Sequence, residues 1–418
     1  MNTRKILATG ILAAASLVTT ASAVTTVYIS GSTAFRTAAS NAITAVVGST
    51  PVAVDSSVTL AAYQGANAQT WSNASYFVQT SWSGSAQGVQ GVSNRVTARF
   101  LPAAATSNTA ADPRNTSNPA DTHIPDICFA DCQQSSTNFT ANSLATNSKV
   151  GVVTFIFAAS NGFPTGQSMT KQAFEYTFTG LGYVPLSTYN GNATQADAAH
   201  SIVYATGRDP DSGTRITTLA EIGHGVANAV TQWHPVINGS HQVTSLATYP
   251  GTATINGYTY TSGTGESSGS TLRAFLTSTL TAASTGGLPN GEAGPSYFVT
   301  SLGMSDYPKV VTGAVFDTGL TGSDATGLPA VPLNFNGVPF SIANIENGSY
   351  TFWGYEYAGI STQSAASTYQ SGAVNTFYTS LVSNIQGTAT SSLSGNVKES
   401  DMQVTRGSDG GPITSKNL

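Results

Sequence analysis

Charged side chains are scarce in this chain, and their scarcity already excludes one class of partner. Only 8% of the 418 residues are charged, with 15 basic and 20 acidic side chains and a formal net charge of -5. The chain has no basic stripe with interleaved aromatic residues, which binding to a nucleic-acid backbone would require. We therefore predict no nucleic-acid partner, and we expect hydroxyl and amide side chains to keep the protein in solution.

Long apolar runs are missing after the N-terminus, whereas a membrane span needs about 20 such residues. The N-terminus itself has basic residues at Arg4 and Lys5, an apolar run over 6–18 and small residues at 21–23. This pattern is typical of a secretory signal peptide. We predict that residues 1–23 are removed and that the mature chain is periplasmic or secreted; retention as an N-terminal anchor is the alternative.

Cysteine is nearly absent as well, since the chain has only Cys128 and Cys132. Export would give these two residues access to an oxidising compartment, and we predict a local disulfide between them. The bridge requires a turn or a helix start, because residues four apart on a strand lie about 13 Å apart, beyond disulfide reach. Two unpaired thiols are the alternative, and two cysteines alone do not make a metal site.

Glycine, in contrast, is abundant at 42 residues, and short apolar segments alternate with helical patterns along the chain. This alternation predicts an α/β fold, and the length is sufficient for two domains. One predicted helix follows Thr33, with Ser32 or Thr33 as its cap, and another ends at Gly223. Residues 94–123 are predicted to be a surface excursion. The predicted strands are 24–29, 58–63, 76–78, 127–129, 150–158 and 202–205.

Polar clusters follow four of the apolar segments, at the places where parallel strands would end. They are 31–33 (Gly-Ser-Thr), 84–85 (Gly-Ser), Asp131 and 208–214 (Arg-Asp-Pro-Asp-Ser-Gly-Thr). In an open parallel sheet, ligands bind at the carboxyl ends of strands, where loops distant in sequence converge. Each cluster taken alone also suits a helix cap or a turn, because Ser, Thr and Asp are frequent there.

The run 208–214 has the composition of an anion site. Arg208 supplies a fixed positive charge, while Ser212 and Thr214 supply hydroxyl donors around the flexible backbone of Gly213. The run lies at a predicted strand-to-helix turn, where free N–H groups and the helix dipole favour negative charge. We therefore expect these residues to bind an oxyanion.

The spacing from Arg208 to the Ser-Gly-Thr at 212–214 resembles the anion-binding signature of the phosphate-binding proteins that serve bacterial ABC transporters. The other three clusters fall in the order that this family uses. The resemblance implies the type 2 periplasmic binding protein fold, in which two α/β lobes joined by hinge strands close over the ligand. Carried onto this chain, residues 24–150 and 346–418 form lobe I, and residues 151–345 form lobe II.

The same resemblance implies a ligand, a partner and a set of site residues. The ligand is inorganic phosphate, the partner is a transporter permease in the inner membrane, and the receptor is a monomer without a cofactor. One departure is Pro210, because the family has an aspartate there that orients the arginine; Asp209 or Asp211 is expected to replace it. The implied phosphate-binding residues are Ser32, Thr33, Ala34, Ser85, Asp131, Arg208, Ser212, Gly213 and Thr214.

Asp131 gives this expected site its selectivity. A carboxylate repels a bound anion unless the anion brings a proton to donate, and near neutral pH phosphate keeps a proton whereas sulfate does not. The cost of a charged mismatch in a dry site is several kcal/mol, on the order of a thousandfold in affinity. A helix cap or an ion-pair partner is the alternative role for Asp131.

Enzyme chemistry has weaker support in the sequence. The Gly-x-Ser-x-Gly pattern at 265–269 matches a hydrolase elbow, yet all five histidines precede Ser267, whereas that fold places its histidine last. His224, His234 and His241 match no metal-ligand spacing, and the Rossmann and P-loop motifs are missing. We therefore expect a binding protein that is not an enzyme and holds no metal. The alternatives are a receptor for another oxyanion, or a cell-surface or extracellular matrix protein that keeps the fold without a transport role.

Overall fold

The computed structural model describes residues 23–55, 66–109, 111–192, 201–278, 280, 295–311, 329–388 and 395–416. The predicted signal peptide up to residue 22 and the predicted strand 58–63 lie outside these ranges. Within the described ranges, no helix combines the length and the apolar character that crossing a bilayer requires.

Strands and helices alternate along the described chain, which confirms the α/β prediction. The strands are β1 (Thr25–Gly31), β2 (Ala53–Val54), β3 (Ala68–Ser72), β4 (Tyr76–Ser81), β5 (Ala98–Phe100), β6 (Asp121–His123), β7 (Ile127–Ala130), β8 (Thr146–Ala159), β9 (Ser168–Met169), β10 (Tyr183–Pro185), β11 (Ile202–Ala205), β12 (Trp233–Ile237), β13 (Val243–Thr248), β14 (Ala253–Ile255), β15 (Tyr258–Tyr260), β16 (Ser296–Gly303), β17 (Val331–Phe335), β18 (Trp353–Ile360), β19 (Val404–Arg406) and β20 (Ile413–Ser415). The helices are α1 (Arg36–Val47), α2 (Ser85–Ser93), α3 (Lys171–Phe178), α4 (Ser187–Asn190), α5 (Gly213–Glu221), α6 (Gly269–Leu276), α7 (Ile342–Glu346) and α8 (Ala373–Gly387).

A single sheet of 12 strands forms the centre of the molecule. Its main order is β10-β11-β16-β8-β18-β7-β1-β4-β3-β2, and β17 joins it by pairing with β8 and β9. In one half β1 lies parallel to β4 and β7, and in the other half β11 lies parallel to β16. The antiparallel strands β8 and β18 lie between these two parallel halves. The carboxyl ends of β1, β4 and β7 therefore meet at one edge of the first half.

The strand β8 belongs to both halves, because it is long and changes partner along its length. Residues 146–154 pair with β18, and residues 155–159 pair with β16. The lobe boundary predicted between residues 150 and 151 therefore falls inside a continuous strand of 14 residues.

Side-chain alternation on β7 divides the core between the two faces of the sheet. Ile127 and Phe129 pack in the large cluster that includes buried residues of α1 and α8. Cys128 and Ala130 pack in a smaller cluster with α2, and Ile216 of α5 belongs to the same cluster. The helix α2 of the first half and the helix α5 of the second half thus contribute to one apolar cluster.

The disulfide predicted between Cys128 and Cys132 is absent, because both residues are free, buried thiols. Cys128 lies within β7, which stays extended through Ala130, so the turn that a bridge requires does not form there. Burial raises the pKa of the Cys128 thiol to about 12 and that of Cys132 well above its ordinary value. The cysteines are therefore core residues of the α2 face.

The predicted cap of α1 is also wrong in detail. The helix begins at Arg36 with Phe35 as its N-cap residue and without a side-chain cap. Ser32 instead accepts a hydrogen bond from the N–H of Phe35 at 3.2 Å. The predicted excursion at 94–123 contains the antiparallel pair β5 and β6, so it is more ordered than a simple loop.

Candidate functional site

Asp131 and Ser85 form the centre of the site. Asp131 follows β7 directly, and Ser85 is the first residue of α2, which follows β4. The Ser85 hydroxyl donates a hydrogen bond to Oδ1 of Asp131, and the Asp131 N–H lies 3.3 Å from the same hydroxyl oxygen. Both residues are almost completely buried. Two of the clusters predicted from the sequence are therefore joined directly.

Gly213, the first residue of α5, brings a third cluster to the same point. A Cβ atom at Gly213 would lie 1.6 Å from Oδ1 of Asp131 and 2.4 Å from Oγ of Ser85. No side chain fits at such distances, so only glycine allows the helix to approach this closely. Thr217, one turn further along α5, donates a hydrogen bond to the backbone carbonyl of Asp131 at 2.8 Å. The N-terminal turn of α5 thus rests on Asp131.

The turn before α5 also contacts the start of α2. The Ala86 N–H donates to the Asp211 carbonyl at 3.1 Å. Gly84 has a φ of 138°, and a Cβ there would lie 2.8 Å from Oδ2 of Asp211, so both the backbone conformation and the space require glycine. The helix starts of α2 and α5, one from each half of the sheet, therefore meet.

Arg208 is held by backbone carbonyl groups. Its Nε donates to the Glu266 carbonyl at 3.0 Å, and its Nη2 donates to the Ser267 carbonyl at 2.9 Å. The carbonyl of Arg208 in turn accepts from Nη1 of Arg215 and from Nε2 of Gln232, each at 3.1 Å. Arg208 is 5% exposed, and the carbonyls of Glu266 and Ser267 fix the plane of its guanidinium. The Gly-x-Ser-x-Gly segment at 265–269 thus positions this arginine.

The acids next to Arg208 do not take the orienting role expected of them. Among the described residues, neither Asp209 nor Asp211 forms an ion pair with the guanidinium. Oδ1 of Asp209 accepts from the Asp211 N–H at 3.2 Å, and Oδ1 of Asp211 accepts from the Tyr260 hydroxyl at 3.1 Å. Backbone oxygens of Glu266 and Ser267 orient the guanidinium instead, and no carboxylate is paired with it in the described ranges.

Ser212 and Thr214 flank Gly213 and are both buried. Oγ of Ser212 has no hydrogen-bond partner within the described part of the chain. The Thr214 carbonyl accepts from the hydroxyl of Thr218 at 2.6 Å, one turn along α5. A buried hydroxyl without a partner costs about 1–3 kcal/mol, so a ligand oxygen that bonded Ser212 would offset this cost.

The first loop, Ser32 to Ala34, lies beside this centre. The Ser32 N–H donates to the Phe129 carbonyl at 2.8 Å, which ties the loop to β7. A Cβ at Gly303, the last residue of β16, would lie 3.5 Å from Cβ of Ala34. The loop therefore reaches the second half of the sheet, although no direct hydrogen bond joins Ser32, Thr33 or Ala34 to Asp131 in the described structure.

Burial dominates the electrostatics of the site. It raises the pKa of Asp131, while the hydrogen bond from Ser85 and the charge of Arg208 oppose that rise. Burial and the neighbouring Asp209 raise the pKa of Asp211 well above its ordinary value. Burial and Asp131 do the same to Glu356. Asp211 and Glu356 consequently hold their protons to unusually high pH.

Sequence reasoning missed Glu356, Arg215 and the carbonyl groups that hold Arg208. Glu356 carried a usable signal, because it is the one acidic residue of the otherwise uncharged strand Trp353–Ile360. The contact between Arg208 and Glu266 joins positions 58 residues apart, and nothing in the local sequence indicates it.

A cavity of about 190 Å³ lies beside the α2–α5 contact, lined by Pro210, Tyr258 and Tyr260 among others, but by none of the predicted site residues.

Within the described ranges, no group of three or more His, Cys, Asp or Glu side chains could hold a metal ion. Nδ1 of His234 lies 3.1 Å from Oε1 of Glu266 and 2.9 Å from the hydroxyl oxygen of Tyr249.

No protein-family model and no curated protein matches the chain. Among solved structures, a Clostridium perfringens protein with bound phosphate aligns with 90% of this chain and 99% of its own, at 12% identity and a TM-score of 0.44. An ABC-type phosphate transport receptor from Vibrio cholerae aligns with 89% and 99%, at 10% identity and a TM-score of 0.42. PstS from Borrelia burgdorferi aligns with 89% and 98%, at 11% identity and a TM-score of 0.38. These alignments compare how the backbones are arranged and carry no argument about function.

Proposed function

We propose that this chain is an exported receptor for a protonated oxyanion, inorganic phosphate, which it captures between the two halves of the sheet. It works as a monomer and delivers the ion to the permease of an ABC transporter. One observation carries the proposal: Ser85, Asp131 and Gly213, from three separate regions of the chain, are in mutual contact. Their contact lies at the N-terminus of a nine-residue helix, where backbone N–H groups and the helix dipole favour an anion.

The donors around this point suit an oxyanion. Arg208 supplies a positive charge in a fixed orientation, because backbone carbonyls hold its Nε and Nη2. The hydroxyl of Ser212, which has no partner among the described residues, supplies a neutral donor. Ser85 contributes its backbone N–H at the start of α2, because its single O–H is given to Asp131. In this role Thr214 and the Ser32 loop complete the shell with hydroxyl or backbone N–H groups.

Asp131 distinguishes phosphate from sulfate by the proton that phosphate carries. When ionised, it accepts a hydrogen bond from the P–OH group of phosphate, whereas sulfate has no proton to donate and leaves a repulsive contact. The charge of Arg208 and the hydrogen bond from Ser85 both favour the ionised form of Asp131, against the opposing effect of burial.

The two lobes in this proposal are residues 24–150 with 346–418, and residues 151–345. The strands β8 and β18 form the hinge, since β8 pairs with β18 at one end and with β16 at the other. Bending at this hinge separates Ser85 of one lobe from Gly213 of the other and opens the site to solvent. Closure of hinged domains around a ligand is a common mode of capture.

One observation favours a second candidate, a surface or matrix protein that keeps this fold without transporting an ion. The carboxyl group of Asp131 already lies against Gly213 and is hydrogen-bonded to Ser85. In that candidate the contact is a permanent structural lock between the lobes, and no anion displaces it.

Calorimetry on the mature chain, from residue 24 onward, separates the two candidates. Titration with phosphate should show one site per chain, and titration with sulfate should give at least about a hundredfold weaker binding, which corresponds to about 2.7 kcal/mol. Absence of binding at millimolar phosphate would overturn the receptor proposal. Equal affinity for both anions would instead indicate a receptor for another oxyanion.

A further inference from the structure

Glu356 is a buried acid that the receptor proposal leaves without a role. It lies in the middle of β18, and its side chain is 0% exposed. Within the described part of the chain, neither Oε1 nor Oε2 has a hydrogen-bond partner of standard geometry. An unpaired polar group in a dry interior is costly, so this carboxyl group requires an explanation.

The strand register places Glu356 next to the site. Tyr357 of β18 and Ala130 of β7 form the last pair of their antiparallel ladder, and Glu356 and Asp131 are the next residues on the two segments. The hydroxyl of Ser32 is near enough to lower the pKa of Glu356, against the larger opposing effects of burial and of Asp131. Glu356 therefore lies close to both Asp131 and Ser32.

Two adjacent buried carboxyl groups do not both ionise, because like charges in a site of low dielectric repel strongly. The hydrogen bond from Ser85 and the charge of Arg208 partly offset the effect of burial on Asp131, whereas burial and Asp131 raise the pKa of Glu356 well above its ordinary value, so Glu356 is the member that keeps a proton. A neutral carboxyl group can donate one hydrogen bond. Arg208 and Asp409 also act on Asp131. The thiols of Cys128 and Cys132 feel the charge of Glu356, but their raised pKa values keep them neutral where a carboxyl group titrates.

We propose that Glu356 is a further ligand-binding residue of the oxyanion site and forms a carboxyl pair with Asp131 that carries one proton. Glu356 donates that proton in a hydrogen bond to an unprotonated oxygen of the ligand, while Asp131 accepts from the protonated oxygen. The pair is thus matched to an oxyanion that presents one O–H and one O⁻ side by side, as hydrogen phosphate does. This inference rests on the proposed function.

Binding measurements on two variants test the pair. Glu356→Gln retains a donor of nearly the same shape, and we expect phosphate affinity within about threefold of the wild type. Glu356→Leu removes the donor, and we expect an affinity loss of at least about tenfold. Glu175→Gln, the same change at an exposed carboxyl group on α3, serves as the matched control. Wild-type affinity in Glu356→Leu would overturn the proposal while leaving the receptor function intact.

Unfolding measurements without ligand test whether Glu356 holds a proton. They compare the wild type with Glu356→Gln at about pH 5 and about pH 8. A carboxyl group whose pKa is raised in the folded state holds a proton that the unfolded chain releases, so the wild type loses stability as pH rises above the ordinary glutamate value. The unfolding equilibrium constant of the wild type should rise, relative to the variant, by up to about tenfold per pH unit.

If the difference in unfolding free energy between the wild type and Glu356→Gln were the same at both pH values, Glu356 would not hold a proton in the folded state. This result would overturn the pair even if Glu356→Leu failed to fold. If the wild type itself does not bind phosphate, the receptor proposal fails and the binding role of Glu356 fails with it.

Discussion

Substitution of Gly213 by alanine is the sharpest perturbation of the proposed site. In an ordinary helix, replacing glycine with alanine stabilises by up to about 1 kcal/mol. At Gly213 the added methyl group would lie 1.6 Å from Oδ1 of Asp131 and 2.4 Å from Oγ of Ser85, far inside van der Waals contact. The three groups must therefore separate.

The expected loss of stability follows from the displacement of Asp131 and Ser85 by the added methyl group. Overpacking in a buried region costs typically about 1–3 kcal/mol, and breaking the hydrogen bond between Ser85 and Asp131 costs about 1.5–3 kcal/mol when the acceptor is charged. The gain in helix propensity offsets only part of this. We expect Gly213→Ala to destabilise the protein by about 2 kcal/mol or more and to weaken phosphate binding at least about tenfold.

Urea unfolding followed by circular dichroism measures the first effect, and calorimetry measures the second. Gly387→Ala is a matched control, because Gly387 ends α8 and a Cβ there would meet nothing within 4 Å. If Gly213→Ala proved as stable as Gly387→Ala and bound phosphate normally, the close approach of α5 to Asp131 would be refuted.

Three further predictions concern the acid, the arginine and the thiols. Asp131→Asn should narrow the preference for phosphate over sulfate by at least about tenfold in competition calorimetry, and an unchanged preference would remove the discriminating role of this acid. Arg208→Lys should weaken phosphate binding at least about tenfold, since an ammonium group cannot reproduce the planar fork, whereas Arg99→Lys, another arginine that donates to backbone carbonyls, should bind phosphate normally. Cys128 and Cys132 should react with a thiol reagent only after unfolding, because both are buried; detection of no free thiol in denaturant would reinstate the disulfide.

Much of the fold follows from local patterns. The predicted segments 76–78, 127–129, 150–158 and 202–205 lie within strands of the structure, and the segment 24–29 does so from residue 25, as apolar runs bounded by turn residues predict. Ser85, Asp131 and Gly213 were identifiable for a related reason. Each is a small or polar residue that follows a buried strand. The strands β4 and β7 both run parallel to β1, which brings Ser85 and Asp131 to a common edge, whereas Gly213 reaches them from the other half of the sheet through a tertiary contact.

The unpredicted parts depend on contacts between distant positions. The carbonyls that hold Arg208 come from the segment 265–269, whose role depends on tertiary packing, which composition does not encode. Glu356 comes to lie near Asp131 only through the register of β18 on β7. The predicted disulfide failed for the same kind of reason, because the strand β7 continues past Cys128 instead of turning.

The central claim is that one oxyanion binds where the helix starts of α2 and α5 meet. A crystal structure of the mature chain with phosphate at about ten times its dissociation constant tests this claim most directly. We expect a single ion within hydrogen-bonding distance of Arg208, Ser85 and Asp131, with Gly213 against it. Phosphate bound elsewhere, or lobes that stay locked by Asp131 with no ion between them, would contradict the account.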